Sequence, residues 1–222
     1  MTAQAAATGR SDAGGRMRSR EHRELGRALE PRIDRLQNEY LRGSPSARAD
    51  LAQLRRGLGK PAGSVPEIWE HTIGAVPESM AGSDSTGPSR AEQAAHAALT
   101  LFSLHLQSQA APVHWQGVSF GWAVGLLAQR DRAREQAITR RFMAAATAQS
   151  VDELLVHVRG LIDQLKAAGI GVDYAAFAGD IAALLTPARR ESVRLVWGRD
   201  FYRVDSASGH GDAGDADNEG TD

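Results

Sequence analysis

The chain has 222 residues, 42% hydrophobic and 24% charged, and no cysteine, so it can bury a substantial core but cannot form disulfides, thiolate nucleophiles or cysteine-ligated metal sites. Its 26 basic and 27 acidic residues nearly cancel, yet residues 205–222 hold six acids and no lysine or arginine, which leaves 26 against 21, or +5, for residues 1–204. That excess is smaller than is usual for a chain that grips nucleic acid alone, and it fits one that meets a phosphate backbone within an assembly.

Residues 1–20 are rich in Gly, Ala and Ser without apolar periodicity and predict a disordered arm. No basic patch with an apolar core follows Met1, so no signal peptide is expected. Leu25, Leu29, Ile33, Leu36 and Tyr40 then recur at helical spacing, with Pro31 inside the run either as a kink or as the first turn of a new helix. Ser44-Pro45 caps and opens a helix carrying Ala47, Leu51, Leu54 and Leu58. A short helix over Ile68, Trp69, Thr72, Ile73 and Val76 ends at Pro77, and residues 81–89 form a flexible loop. Ser89 with Glu92 is a capping box for a long helix through Leu99, Phe102 and Leu106. Pro112 and Gly117 break the pattern over 110–117, the expected domain boundary.

Beyond it come a Gly-broken helix from Ser119 to Gln129 and one carrying Ile138, Phe142 and Ala145. Ser150 with Glu153 opens a third helix, with Leu154, Val158, Leu161 and Leu165, closed by Gly169. Asp173 caps a helix with Phe177 and Ile181, and Thr186-Pro187 starts the last, through Val193, Trp197 and Phe201. Strand alternation is nearly absent. The expected fold is all-α: about nine helices in two small bundles, 21–110 and 118–204, between the arm and the disordered acidic tail 205–222. No apolar run approaches a membrane span, so the expected compartment is the cytoplasm.

Little marks a reaction centre. His96 and His105 lie nine residues apart, about 180° round one helix. His71, His114 and His157 read as core or loop residues, and no cofactor or metal is expected. Asp12, Asp173 and Asp180 read as a tail residue, a cap and an exposed helix position. Gly57-Leu58-Gly59-Lys60 imitates a phosphate loop but puts Leu54 and Pro61 where that pattern needs glycine and Ser or Thr. No enzyme activity is expected. The remaining candidates are three arginine pairs, Arg55-Arg56, Arg140-Arg141 and Arg189-Arg190. With Leu51, Leu54 and Leu58 inward, Arg56 points outward and Arg55 flanks the core; with Ile138, Phe142 and Ala145 inward, Arg140 points outward and Arg141 flanks. A planar guanidinium suits bidentate contact with phosphate, and equally suits ion pairs on a solvated face.

Short motifs in order through residues 47–204 point further. They are Leu51-Ala-Gln-Leu-Arg-Arg56, Leu104-His-Leu-Gln-Ser108 with Val118-Ser-Phe-Gly121, Arg140-Arg-Phe142, Asp152-Glu-Leu154 with Val158-Arg159, Val172-Asp-Tyr174, and Val196-Trp-Gly-Arg-Asp-Phe-Tyr202. In sequence and spacing they resemble CasB, the small-subunit family of the type I-E CRISPR surveillance complex, Cascade. The resemblance implies a non-catalytic subunit, present as a pair with a second copy of itself, contacting guide RNA, target DNA and the displaced single strand beside the other Cascade subunits. By position it extends a nucleic-acid-binding role to Arg55, Arg56, Arg140, Arg141, Arg159, Arg189 and Arg190. Gly160 stands where the family has a second arginine after Arg159. The acidic tail has no counterpart there. Two rival readings are a helical DNA-binding repressor, which should carry a compact helix-turn-helix that residues 1–50 lack, and a purely structural adaptor.

Overall fold

The computed structural model describes residues 20–83 and 87–204. Both tails expected to be disordered, 1–20 and 205–222, lie outside the described residues except for Arg20. Eight α-helices occur among the described residues: α1 Arg20–Leu41, α2 Pro45–Arg56, α3 Arg90–Leu106, α4 Phe120–Arg130, α5 Glu135–Thr147, α6 Val151–Ala167, α7 Tyr174–Leu184 and α8 Arg190–Arg203. None is long and apolar enough to cross a membrane. The fold is all-α, as the periodicity predicts.

Local chemistry starts the helices where the sequence signals them. Ser89 accepts the Glu92 N–H (3.1 Å) while the Glu92 carboxylate accepts the Ser89 N–H (2.6 Å), a complete capping box. Ser150 accepts the Glu153 N–H, but the Glu153 carboxylate accepts from Gln149 instead. Asp173 accepts the N–H groups of Ala176 and Gly117, both at 2.8 Å, so one cap also ties down the loop before α4. Pro31 is exposed within an unbroken α1, whose Leu25, Leu29, Ile33 and Leu36 are fully buried.

Two expectations change. The short helix over 68–76 is instead a chain of single 3-10 turns, Pro66–Ile68, Ile73–Ala75 and Glu78–Met80, because Pro66, Gly74 and Pro77 interrupt any longer run. Asp180 is no exposed helix position: it is 3% exposed and accepts the Trp197 indole N–H at 2.8 Å. Both α3 and α7 are buried on nearly every face, so their Ala-rich sequences give no clean outward side from which to place Asp180. Helix α7 packs on α1, α3 and α8; α3 also meets α2 and α6; α5 lies on α6. Helices from either side of residues 110–117 therefore meet, and one apolar core runs from Leu25 to Phe201. The 113–118 segment is itself held in place. Gln37 of α1 accepts the N–H groups of Val113 and His114, Trp115 donates to the Val172 carbonyl and Val172 donates to Val113.

Helices α4 and α8 approach backbone to backbone. A Cβ on Gly121 would stand 2.4 Å from the Trp197 carbonyl oxygen, and one on Gly125 would stand 2.4 Å from that of Phe201. Backbone cannot yield as a side-chain end can. Gly121→Ala and Gly125→Ala should each lower stability by about 2 kcal/mol through overpacking. Urea denaturation measures this; wild-type midpoints would contradict the close approach.

Candidate nucleic-acid interface

The seven predicted arginines separate by what each touches. Arg56, at the last position of α2, is exposed, as are Arg140 on α5 and Arg159 on α6, and none of the three has a hydrogen bond or ion pair to a described residue. Arg140 lines a shallow groove with Glu135, Gln136 and Thr139. Arg141 is exposed too, but it leans onto α6, where a Cβ on Gly160 would collide with its guanidinium at 2.0 Å. The glycine beside Arg159 thus makes room for an arginine delivered by the neighbouring helix, so guanidinium chemistry returns to that spot from α5.

Arg55 is half-buried and donates to the Ser103 carbonyl at 3.4 Å, beside Lys166, which donates to Leu104 at 3.2 Å. Two cations thereby sit over the last carbonyls of α3, where the helix dipole favours positive charge. Burial lowers both pKa values, and the Arg55 charge lowers that of Lys166 further. Lys166 escaped the sequence reading. Its signal was the seven-residue spacing from Arg159, two turns that place both on one face about 10 Å apart. The structure thus sets Arg141 of α5 against Gly160, the neighbour of Arg159, and Lys166 beside Arg55 at the end of α2.

Arg190 is committed elsewhere. Its Nε donates to the Leu184 carbonyl at 2.9 Å, closing the end of α7, and its Nη1 reaches Gln149. Arg194 does the same for α5, bonding the carbonyls of Ala146 and Thr147. Arg189 is half-buried in the 3-10 turn Pro187–Arg189 and has protein partners.

The buried histidines among the described residues serve the core. His105 and Tyr174 share a 2.8 Å hydrogen bond inside the protein, and His96 bonds the Gly57 carbonyl at 2.9 Å. The glycine of the rejected phosphate-loop pattern is thus a packed helix end. His114 lies 3.2 Å from Glu30 and 3.9 Å from Asp34, carboxylates that α1 brings from 84 and 80 residues away and that sequence spacing cannot reveal. These three could surround a metal by distance. However, His114 Nδ1 accepts the Tyr174 N–H at 3.1 Å, so a neutral ring carries its proton on Nε2, facing Glu30. That tautomer offers the cluster no lone pair. Burial opposes charge on His114, but the Glu30 hydrogen bond and the charges of Asp173, Glu30 and Asp34 outweigh it and hold the pKa above 6.5.

Comparison with known proteins follows the same lines. The family described as CRISPR-associated protein Cse2 matches residues 50–202. The crystal structure of CasB from Thermobifida fusca is similar at 28% identity with a TM-score of 0.66, covering 80% of this chain and 97% of that one. That of M. ruber CasB, at 22% identity and a TM-score of 0.55, covers 72% and 87% and speaks for the fold alone. No curated protein matches the sequence.

Proposed function

Because the chain belongs to the CRISPR-associated Cse2, or CasB, family of type I-E Cascade, we propose that it is a non-catalytic subunit holding nucleic acid by its backbone. Its partners would be guide RNA, target DNA, the displaced single strand, other Cascade subunits and a second copy of itself. The observation that carries this reading is that, of the seven arginines the sequence singles out, Arg56, Arg140 and Arg159 are exposed and bond no described residue, whereas Arg55 and Arg190 are bonded to carbonyls. A guanidinium with no internal partner is free to release counterions from a phosphate strand. Few aromatic rings are exposed among them, which favours backbone contact over base stacking.

The mechanism is electrostatic. Exchange of the DNA duplex for the guide–target duplex is nearly balanced, so a few backbone contacts suffice to retain the opened state. Arg56→Ala and Arg140→Ala, each assembled into the complex, should weaken retention of opened DNA and reduce the salt slope by about one. Thermal unfolding of the subunit should not move. Filter binding across a salt series reads both quantities; wild-type retention and slope in both variants would overturn the assignment. Arg190→Ala should do the reverse, loosening the α7 end while leaving the slope alone.

A further inference from the structure

Gly121 and Gly125 meet Trp197 and Phe201 in the same order, so α4 and α8 run parallel and finish at the same end of the molecule. A Cβ on Gly125 would also stand 3.0 Å from Cγ2 of Val204, the residue at which the described chain stops. Five residues along α4 from Gly125, about 7.5 Å of helix, is Arg130, and the turn after it adds Arg132 and Arg134. These three are exposed, as are Arg199 and Arg203 on α8. Opposing them, Glu135 pairs with Arg132, Asp131 pairs with Arg134, and Asp200 accepts from Ser119. Arg130, Arg199 and Arg203 bond no described residue. The same outward side of α8 carries Leu195 and Tyr202, 47% and 59% exposed, so no described residue covers this helix face. It borders α5, on which Arg140 lies five residues, about 7.5 Å, beyond Glu135.

From this end the eighteen residues 205–222 depart, with Asp205, Asp212, Asp215, Asp217, Glu219 and Asp222 and no lysine or arginine. We propose that this acidic segment docks on the basic end formed by Arg130, Arg132, Arg134, Arg199 and Arg203, and competes there with nucleic acid. Eighteen residues reach at most about 60 Å when extended, enough to cover the face, and the covalent tether keeps their carboxylates close to it. Its charge opposes the +5 of residues 1–204. The isolated subunit would then ignore stray nucleic acid, while a strand already fixed by an assembled complex displaces the segment. The docking stands independently of the reading given to Arg140; the competition rests on it.

The test keeps the full chain and replaces the six acids (Asp→Asn, Glu→Gln). Since the native sequence has no cysteine, Thr221→Cys places one spin label at the far end of the segment. With the native segment, amide resonances of residues 130–134 and 199–203 should broaden at low salt and recover at high salt; with the neutral segment they should stay sharp. Equal broadening in both forms would reflect the tether alone and overturn the docking. In fluorescence anisotropy with an oligothymidine, the neutral form should bind roughly tenfold more tightly at low salt, the gap closing as salt screens it. Measurable but equal binding would overturn the competition. Salt-sensitive broadening with no oligonucleotide binding by either form would uphold the docking and sink the nucleic-acid reading of the arginines.

Discussion

Replacing Trp197 with alanine should cost about 3–5 kcal/mol. Trp197 is fully buried where α8 lies on α4, and its ring centre is 5.0 Å from Phe120 and 6.0 Å from both Phe142 and Phe177. Alanine would open a cavity among four helices that cannot collapse, because α4 already touches the Trp197 backbone through Gly121. It would also remove the indole donor from buried Asp180. At about 2–4 °C per kcal/mol for a chain of this size, the midpoint should fall by roughly 10 °C. Trp197→Phe separates the two contributions, since it fills most of the space and loses only the N–H. Calorimetry giving a fall of only a degree or two for Trp197→Ala would mean that the aromatic cluster does not organise the C-terminal helices.

Acid should destabilise the protein through His105. The ring is 1% exposed, and burial, helped by the nearby Lys166 charge, pushes its pKa from 6.5 to about 3. The unfolded chain therefore binds a proton below its own pKa that the folded chain refuses, and stability is lost as pH falls from 6.5 towards 3. Between about pH 7 and about pH 4 this one group should remove about 3 kcal/mol; above pH 7 it should contribute no slope. Burial likewise lowers the pKa of His71 and His96, which adds slope of the same sign. His114 acts with the opposite sign: its raised pKa lets the folded chain take up a proton more readily than the unfolded one, which offsets part of this slope as pH falls towards 6.5. His105→Gln should flatten the acid limb in urea titrations by its share while lowering neutral stability modestly. An unchanged slope would show that the protonated ring finds accommodation inside the fold.

Pattern and cap carry much of the architecture. The apolar spacing of Leu25, Leu29, Ile33 and Leu36 and the oxygens of Ser89, Ser119 and Asp173 act within a few residues, so reading them needs no knowledge of distant chain. Interrupted or uniformly apolar stretches were harder. Residues 66–80 kept apolar side chains but broke into 3-10 turns, and the buried setting of Asp180 depends on α7 being enclosed on every side.

Sequence by itself determined the helical class, most helix starts, the outward direction of Arg56 and Arg140, and the family to which the chain belongs. Those properties follow from neighbours along the chain, where a period of 3.6 residues fixes which side of a helix faces solvent. Only the tertiary structure decided which cations are free. Arg190 is spent on the Leu184 carbonyl, Lys166 joins Arg55 above α3, and Arg141 settles over Gly160 from another helix. Partners 6 to 62 residues apart meet only when helices pack. What an arginine can hold depends on which carbonyls and carboxylates reach it first.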